Sequence, residues 1–215
     1  MFFLPFSLML LILFILFLPL LFFLLHIQLA GAALTKLGIA PSTALLIIFL
    51  CLIGSAINIP LANRPVDSIE SFRFPFDYFG FPRMTGKQVI AINVGGAIIP
   101  LLICLYLLPK APLGKILIAT VISSLIVHSL ARPVPAVGIA IPVFIPPLVA
   151  AALALILSPR NPTPVAYISG VLGVLIGADL MNLGSLPSTP GIMSIGGAGV
   201  FDGIFMVGII SALLG

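Results

Sequence analysis

Residues 170–183 read GVLGVLIGADLMNL, and residues 192–214 read IMSIGGAGVFDGIFMVGIISALL. Both stretches belong to apolar segments that predict membrane-spanning helices of about 20 residues. Each carries one acid, Asp179 in the first and Asp202 in the second, and these are the only charged side chains after Arg160. Because a carboxylate inside hydrocarbon costs about 2.5–3.5 kcal/mol on insertion scales, the pair predicts a functional site within the membrane.

The composition of the whole chain predicts a membrane protein. Of its 215 residues, 61% are hydrophobic and only 7% are charged, whereas a soluble domain carries about 25% charged residues. The net charge of +4 is spread over loops and helix ends without a basic cluster. We therefore expect membrane lipid, and not nucleic acid, as a partner.

The apolar segments predict an all-α, polytopic integral membrane protein with about seven transmembrane helices in one domain, residues 1–215. The predicted spans are 2–25, 39–57, 88–108, 112–131, 136–157, 165–183 and 192–214. Prolines crowd residues 133–147, and since proline deletes a backbone donor, we predict a broken segment there that either spans or re-enters the membrane. Residues 58–87 hold many charged and aromatic side chains and predict an interfacial loop. We find no repeat of fixed period.

Alternating spans bring the polar membrane residues to one half of the bilayer. The predicted catalytic residues are Asp179 and Asp202, which glycines at four-residue spacing would allow to approach each other. The predicted substrate-binding residues are Asn58, Asn93, His128, Arg132, Asn182 and Gly199. No metal site and no cofactor are expected, since the chain has neither paired His or Cys spacing nor a phosphate-binding loop.

Two acidic motifs, IGADLMNL at 176–183 and SIGGAGVFDGIF at 194–205, resemble those of an uncharacterised family of multi-pass membrane proteins from bacteria and archaea, the domain-of-unknown-function family DUF 1614. The resemblance extends upstream through GSAINIP at 54–60 and NVGGAIIP at 93–100. It implies an integral protein of a prokaryotic cell membrane and brings no activity with it.

The same motifs are similar, more weakly, to those of presenilin-type intramembrane aspartyl proteases, which carry one catalytic aspartate on each of two helices. Gly177-Ala-Asp179 and Gly199-Val-Phe-Asp202 approximate the Gly-x-Gly-Asp motif of those enzymes. That resemblance implies an Asp179/Asp202 dyad that shares one proton, activates water and cleaves a membrane-embedded peptide.

Three functions are therefore open at the level of sequence. The first is an intramembrane aspartyl endopeptidase built on the Asp179/Asp202 dyad. The second is an ion-coupled transporter or channel for a small solute, in which the same aspartates bind H⁺ or Na⁺. The third is a non-catalytic membrane scaffold whose acids pair with Arg132 or with lipid headgroups.

Overall fold

A computed structural model of the chain describes residues 6–65, 87–134, 138–185, 191–197 and 203–215. Within these residues the chain forms seven α-helices and five short strands. The helices are α1 Phe6–Lys36, α2 Pro41–Gly54, α3 Ile99–Leu107, α4 Leu113–Leu130, α5 Ile145–Leu157, α6 Pro162–Val174 and α7 Gly203–Leu214. The strands are β1 Asn58–Pro65, β2 Lys87–Asn93, β3 Arg132–Val134, β4 Gly138–Ala140 and β5 Gly191–Ile195. Two π-helical segments, Val94–Ile98 and Leu175–Leu180, lead into α3 and continue α6, and a 3₁₀ turn, Leu108–Lys110, follows α3.

Three apolar stretches of the described chain are long enough to cross a membrane, by length and composition. They are Leu8–Lys36, Leu113–Leu130 and Pro162–Leu180. The other apolar helical stretches are shorter, between 10 and 17 residues. The number of helices matches the prediction, but most helices are shorter than predicted because several spans begin with strand or π-helical backbone. Helices of this apolarity indicate association with membrane lipid.

The most deeply buried helix is α6, which packs against α4, α5 and α7. The packing is close at glycines. A Cβ atom added to Gly173 would lie 2.7 Å from Cβ of Ser123 on α4, and one added to Gly170 would lie 2.6 Å from Oγ of Ser211 on α7. The glycine at position 173 therefore allows α6 to pack closely against α4. The close contact with α7 is at Gly170, about one turn further from Asp179.

The prediction of an all-α fold is wrong, because three predicted helical regions contain strands. Strands β1, β2 and β5 form one sheet in that order, in which β1 is antiparallel to β2 and β5 is parallel to it. Two predicted spans thus begin as strands, at Lys87–Asn93 and Gly191–Ile195. A short apolar run suits a buried strand as well as a helix, and periodicity alone does not separate the two. The Gly-Gly pair after each strand separates it from the helix that follows.

The predicted break near residues 133–147 is confirmed for the residues that the structure describes there. Strands β3 and β4 form a two-stranded hairpin in which Arg132 pairs with Ala140. The following helix, α5, begins at Ile145, and Pro146 and Pro147 occupy its first turn. Proline is tolerated at that position because the first N–H groups of a helix have no intrahelical partner. The predicted interfacial loop at 58–87 begins with strand β1, and its residues 66–86 lie outside the described ranges.

Two parts of the chain share a sequence pattern and an order of elements. Residues 52–58 read LIGSAIN at the end of α2, and residues 175–182 read LIGADLMN at the end of α6. Each helix starts at a proline, and β5 is the next described strand after α6, whereas β1 lies between α2 and β2 and has no counterpart among the described residues that follow α6. The strands lead into NVGGA at 93–97 and SIGGA at 194–198, which precede α3 and α7. We call these the first and second copies, and the parallel pairing of β2 with β5 shows that their strands run in the same direction.

The duplication escaped the sequence analysis because it has no short fixed period. The matching motifs are only five to eight residues long and are separated within each copy by unequal connecting segments. Apolar residues between the motifs are interchangeable, so they carry little signal. The common element order, together with the paired strands, is what identifies the copies.

Candidate functional site

The polar residues predicted from the sequence gather at one end of the helix bundle, which we call the Asp179 end. Arg64 of β1 reaches the chain just beyond α6 there, since its guanidinium donates a hydrogen bond to the carbonyl of Leu183 at 2.9 Å. The opposite end carries lysines. Lys36 Nζ donates to the carbonyl of Leu213 at 3.0 Å, and Asn161 Nδ2 donates to the carbonyl of Lys110 at 3.0 Å.

Asn93 ties the first copy together at the Asp179 end. Its side chain is 1% exposed, and its Nδ2 donates to the carbonyl of Ser55 at 2.8 Å and to Oδ1 of Asn58 at 3.0 Å. Its Oδ1 accepts the N–H of Gly96 at 2.8 Å. Ser194 Oγ of β5 donates to the same Oδ1 of Asn58 at 2.5 Å. Two predicted substrate-binding residues, Asn58 and Asn93, therefore bond to each other and link the two copies.

Asp179 lies half-buried in the π-helical segment that continues α6. Its Oδ2 accepts the backbone N–H of Gly196, the residue after β5, at 3.3 Å. Gly196 has a φ of +69°, a conformation that glycine adopts without the steric cost of a Cβ. It packs against the first copy, because a Cβ added there would lie 2.6 Å from Cβ of Ala97. The carboxylate of Asp179 thus lies where the end of β5 meets residues 96–97 of the first copy.

One inserted residue distinguishes the second copy at this point. Three residues lie between Gly54 and Asn58 in the first copy, and four lie between Gly177 and Asn182 in the second. The extra residue coincides with the π-helical segment Leu175–Leu180, and a π turn is the geometry that absorbs one additional residue in a helix. Such π turns occur frequently at functional sites. The only acid of the two aligned motifs, Asp179, lies in the longer of these two intervals.

Asn182 caps the end of this segment and contacts His128 of α4. Its Nδ2 donates to the carbonyls of Gly177 and Ala178, both at 2.9 Å, and lies 3.1 Å from Nδ1 of His128. Because the two carbonyls are acceptors, the NH₂ side of the amide faces them, and Nδ1 of His128 is then an acceptor as well. A neutral His128 in this arrangement carries its proton on Nε2.

The remaining predicted residues divide into two groups. Arg132 lies exposed on β3, four residues after His128. Asp202 and Gly199 lie outside the described residues, so the separation of the two carboxylates of the predicted dyad stays a prediction. Sequence reasoning missed Ser194 and Gly196, and the match between NVGGA and SIGGA is the signal that identifies them, since it aligns Ser194 with Asn93.

The described residues at this end offer proton and cation chemistry. Carboxylates and imidazoles are side chains that can take up and release protons, while carboxylate, amide and backbone oxygens are the ligands that hard cations prefer. Among the residues that the structure describes, no group of three or more His, Cys, Asp or Glu side chains lies close enough to hold a metal ion.

Comparison with known proteins adds a family and no function. No curated protein and no solved structure is significantly similar to this chain. A family model, described as a protein of unknown function, matches residues 52–214, which include the matching motifs of both copies. This match covers well over half of the sequence, so the chain belongs to the DUF1614 family.

Proposed function

We propose that the protein is an integral membrane carrier that moves a small solute in exchange for, or together with, H⁺ or Na⁺. The predicted placement in a prokaryotic cell membrane is part of this proposal. Apolar helices long enough to span a bilayer support it, as does the single half-buried acid in the described part of the bundle. An ionisable residue inside a membrane protein marks an ion or substrate pathway far more often than a structural contact.

The duplication is the observation that carries this proposal. Many carriers consist of two structural repeats, and their sites lie between the repeats where helices are interrupted. Here each copy interrupts its helices with strand or π-helical backbone at the Asp179 end, and Asn58, Ser194 and Gly196 lie where the copies touch. Non-helical backbone at membrane depth is stable only where protein or a water-filled cavity satisfies it, which favours a polar pathway at this position.

The roles follow from the hydrogen bonds. We assign the coupling ion to Asp179, the only acid of the two aligned motifs. Asn58 and Asn93 have their amide groups bonded to one another, to Ser55 and to Ser194, so we assign them to holding the copies together. Solute contact is then assigned to His128 and to Asn182, which lie beside Asp179 on neighbouring elements.

Transport in reconstituted liposomes tests the carrier. Liposomes loaded with a pH-sensitive dye would receive, one at a time, gradients of amino acids, carboxylates, sugars and inorganic ions, with and without Na⁺. We expect at least one gradient to move protons or Na⁺ in the wild-type protein and not in Asp179→Asn, which keeps the side-chain shape and removes the charge. Lys115→Gln, at the opposite end of α4, is the matched control and retains transport. Equal fluxes in the wild type and Asp179→Asn would contradict the proposal.

A second candidate function, the intramembrane aspartyl endopeptidase, is favoured by one specific observation. Strand β5 lies at the edge of its sheet among the described strands and ends at Gly196, whose N–H contacts Asp179. A substrate peptide that added a strand to that edge would pass the carboxylate, and β-strand addition is a common mode of peptide recognition. Asp179→Asn and Asp202→Asn would then each leave a membrane substrate uncut in cells, while liposome fluxes would not depend on either residue.

A further inference from the structure

The two copies attach the end of their helix to the end of their strand by different chemistry. In the first copy the amide of Asn93, at the end of β2, donates to the carbonyl of Ser55, next to the end of α2. In the second copy the N–H of Gly196, after β5, donates to the carboxylate of Asp179, at the end of α6. Serine replaces asparagine at the position equivalent to Asn93, and Ser194 bonds to Asn58 instead.

Because of this difference in acceptor, the attachment in the second copy depends on protonation and the attachment in the first copy does not. An amide and a carbonyl do not titrate between pH 4 and 9, so the Asn93 attachment is the same throughout that range. A hydrogen bond to a charged acceptor is about twice as strong as one to a neutral acceptor. Loading a proton onto Asp179 therefore weakens the attachment of β5 and leaves that of β2 unchanged.

The strand of the second copy is bounded by glycines in left-handed conformations. Gly191, its first residue, has a φ of +137°, and Gly196, just after its last residue, has a φ of +69°. Among the described residues, the glycines of the first copy have no positive φ. Gly95 and Gly196 are both closely packed, since a Cβ on Gly95 would overlap the carbonyl of Cys51 and one on Gly196 would lie 2.6 Å from Cβ of Ala97. The two strands therefore differ in the backbone conformation at their ends, and not in how closely the glycine after each strand is packed.

We propose that Asp179 and Gly196 form a proton-dependent latch, in which protonation of Asp179 releases β5 from the end of α6 and so couples H⁺ to opening of the pathway between the copies. This inference rests on the proposed carrier function and deepens it by naming H⁺ as the coupling ion and β5 as the element that moves.

Among the described residues, three other charged or titratable side chains lie on the elements packed around Asp179. They are His128 on α4, Arg64 on β1 and Arg132 on β3. A guanidinium keeps its charge in proteins, whereas an imidazole is the side chain whose charge changes most readily near neutral pH. A variant at His128 is therefore needed to separate an imidazole effect from that of Asp179.

Hydrogen exchange on the full-length protein in lipid nanodiscs tests the latch without any solute. Amide exchange of residues 191–197 and 87–96 would be measured by mass spectrometry from about pH 3 to 8.5, a range that includes the reference pKa of aspartate, about 3.9. Rates would be corrected with the unfolded peptide at each pH. We expect 191–197 to exchange about five- to tenfold faster at low pH, the ratio that separates charged from neutral hydrogen bonds, and 87–96 to show no change.

Variants assign the effect to Asp179. Asp179→Asn should exchange fast in 191–197 at every pH, since its neutral amide cannot provide the charged acceptor. His128→Gln should keep the pH dependence, and Asn161→Ala, at the opposite end of the bundle, should match the wild type. Equal protection of 191–197 in the wild type and Asp179→Asn at high pH would overturn the latch, as would a pH dependence that disappears in His128→Gln.

This result is separable from the outcome for transport. A latch found in protein that moves no solute would reject the carrier and keep the coupling of Asp179 to β5. Transport that depends on Asp179 without any change in 191–197 would keep the carrier and reject the latch.

Discussion

Replacing Gly196 by alanine tests whether the two copies are held together by direct backbone contact. Two costs add at this position. A left-handed φ costs an L-residue about 1–2 kcal/mol. The new Cβ would also lie 2.6 Å from Cβ of Ala97, 2.8 Å from its N and 2.9 Å from C of Gly96. Backbone atoms cannot rotate away, so overpacking adds about 1–3 kcal/mol and the total loss of unfolding free energy is about 2–5 kcal/mol.

Gly38 offers a matched control for the backbone term alone. Its φ of +78° is close to that of Gly196, but a Cβ there would meet only Nζ of Lys110 at 3.7 Å, an ordinary contact. Gly38→Ala should therefore cost only the left-handed strain, about 1–2 kcal/mol. The excess loss in Gly196→Ala measures the packing of the second copy against the first.

Reversible unfolding of purified protein in mixed micelles, followed by circular dichroism as denaturing detergent is added, measures both variants on one scale. The midpoint and slope of each transition give the free energy of unfolding. If both alanines cost the same, the contact between Gly196 and residues 96–97 carries no energy, and the argument that the copies interlock there is wrong.

Two further predictions use the same assay. Gly177→Ala should lower the free energy of unfolding by about 1–3 kcal/mol, because its Cβ would overlap the carbonyl of Ser124. Gly184→Ala is the control and should change stability little, since a Cβ there has nothing within 4 Å. Equal losses in the two variants would contradict the close packing of this segment against α4. Lys36→Met should lower the free energy of unfolding by about 0.5–1.5 kcal/mol, because it removes the hydrogen bond to the carbonyl of Leu213. Lys36→Arg should retain most of that stability. Identical stabilities of Lys36→Met and the wild type would mean that this contact adds nothing.

The sequence was sufficient to predict a mostly helical chain with apolar helices, the number of helices in the described residues and the meeting of several polar residues at one end, although only three stretches are long enough to span a membrane. Those predictions depend on apolar segment length and on the parity of spans, and both survive errors of a few residues at each boundary. The meeting of Asn58 with Asn93 and of His128 with Asn182 is what alternating spans require.

The strands were not predictable in the same way, because the information that makes them strands lies far away in the chain. Residues 87–93 read KQVIAIN, which suits a buried helix or a buried strand equally well. Pairing decides between them, since β2 lies between β1 and β5 and both neighbours satisfy its backbone. A sheet partner about 100 residues away in sequence leaves no local signal, in contrast to the prolines that break the chain before α5.

The same difference explains why Asp179 was predicted as a site residue while its surroundings were not. An acid in an apolar run can be recognised from the sequence alone, because the free-energy cost of placing it in hydrocarbon depends only on its local surroundings. Its partner Gly196 has no side chain, and its role follows only from a positive φ and from its contact with the first copy. The first junction joins a helix end to a strand end without charge, since Asn93 at the end of β2 donates to the carbonyl of Ser55. The second junction uses the Asp179 carboxylate as the acceptor for the N–H of Gly196. A junction of this kind therefore does not require a titratable group, and this is the structural argument for testing Asp179 as a functional residue.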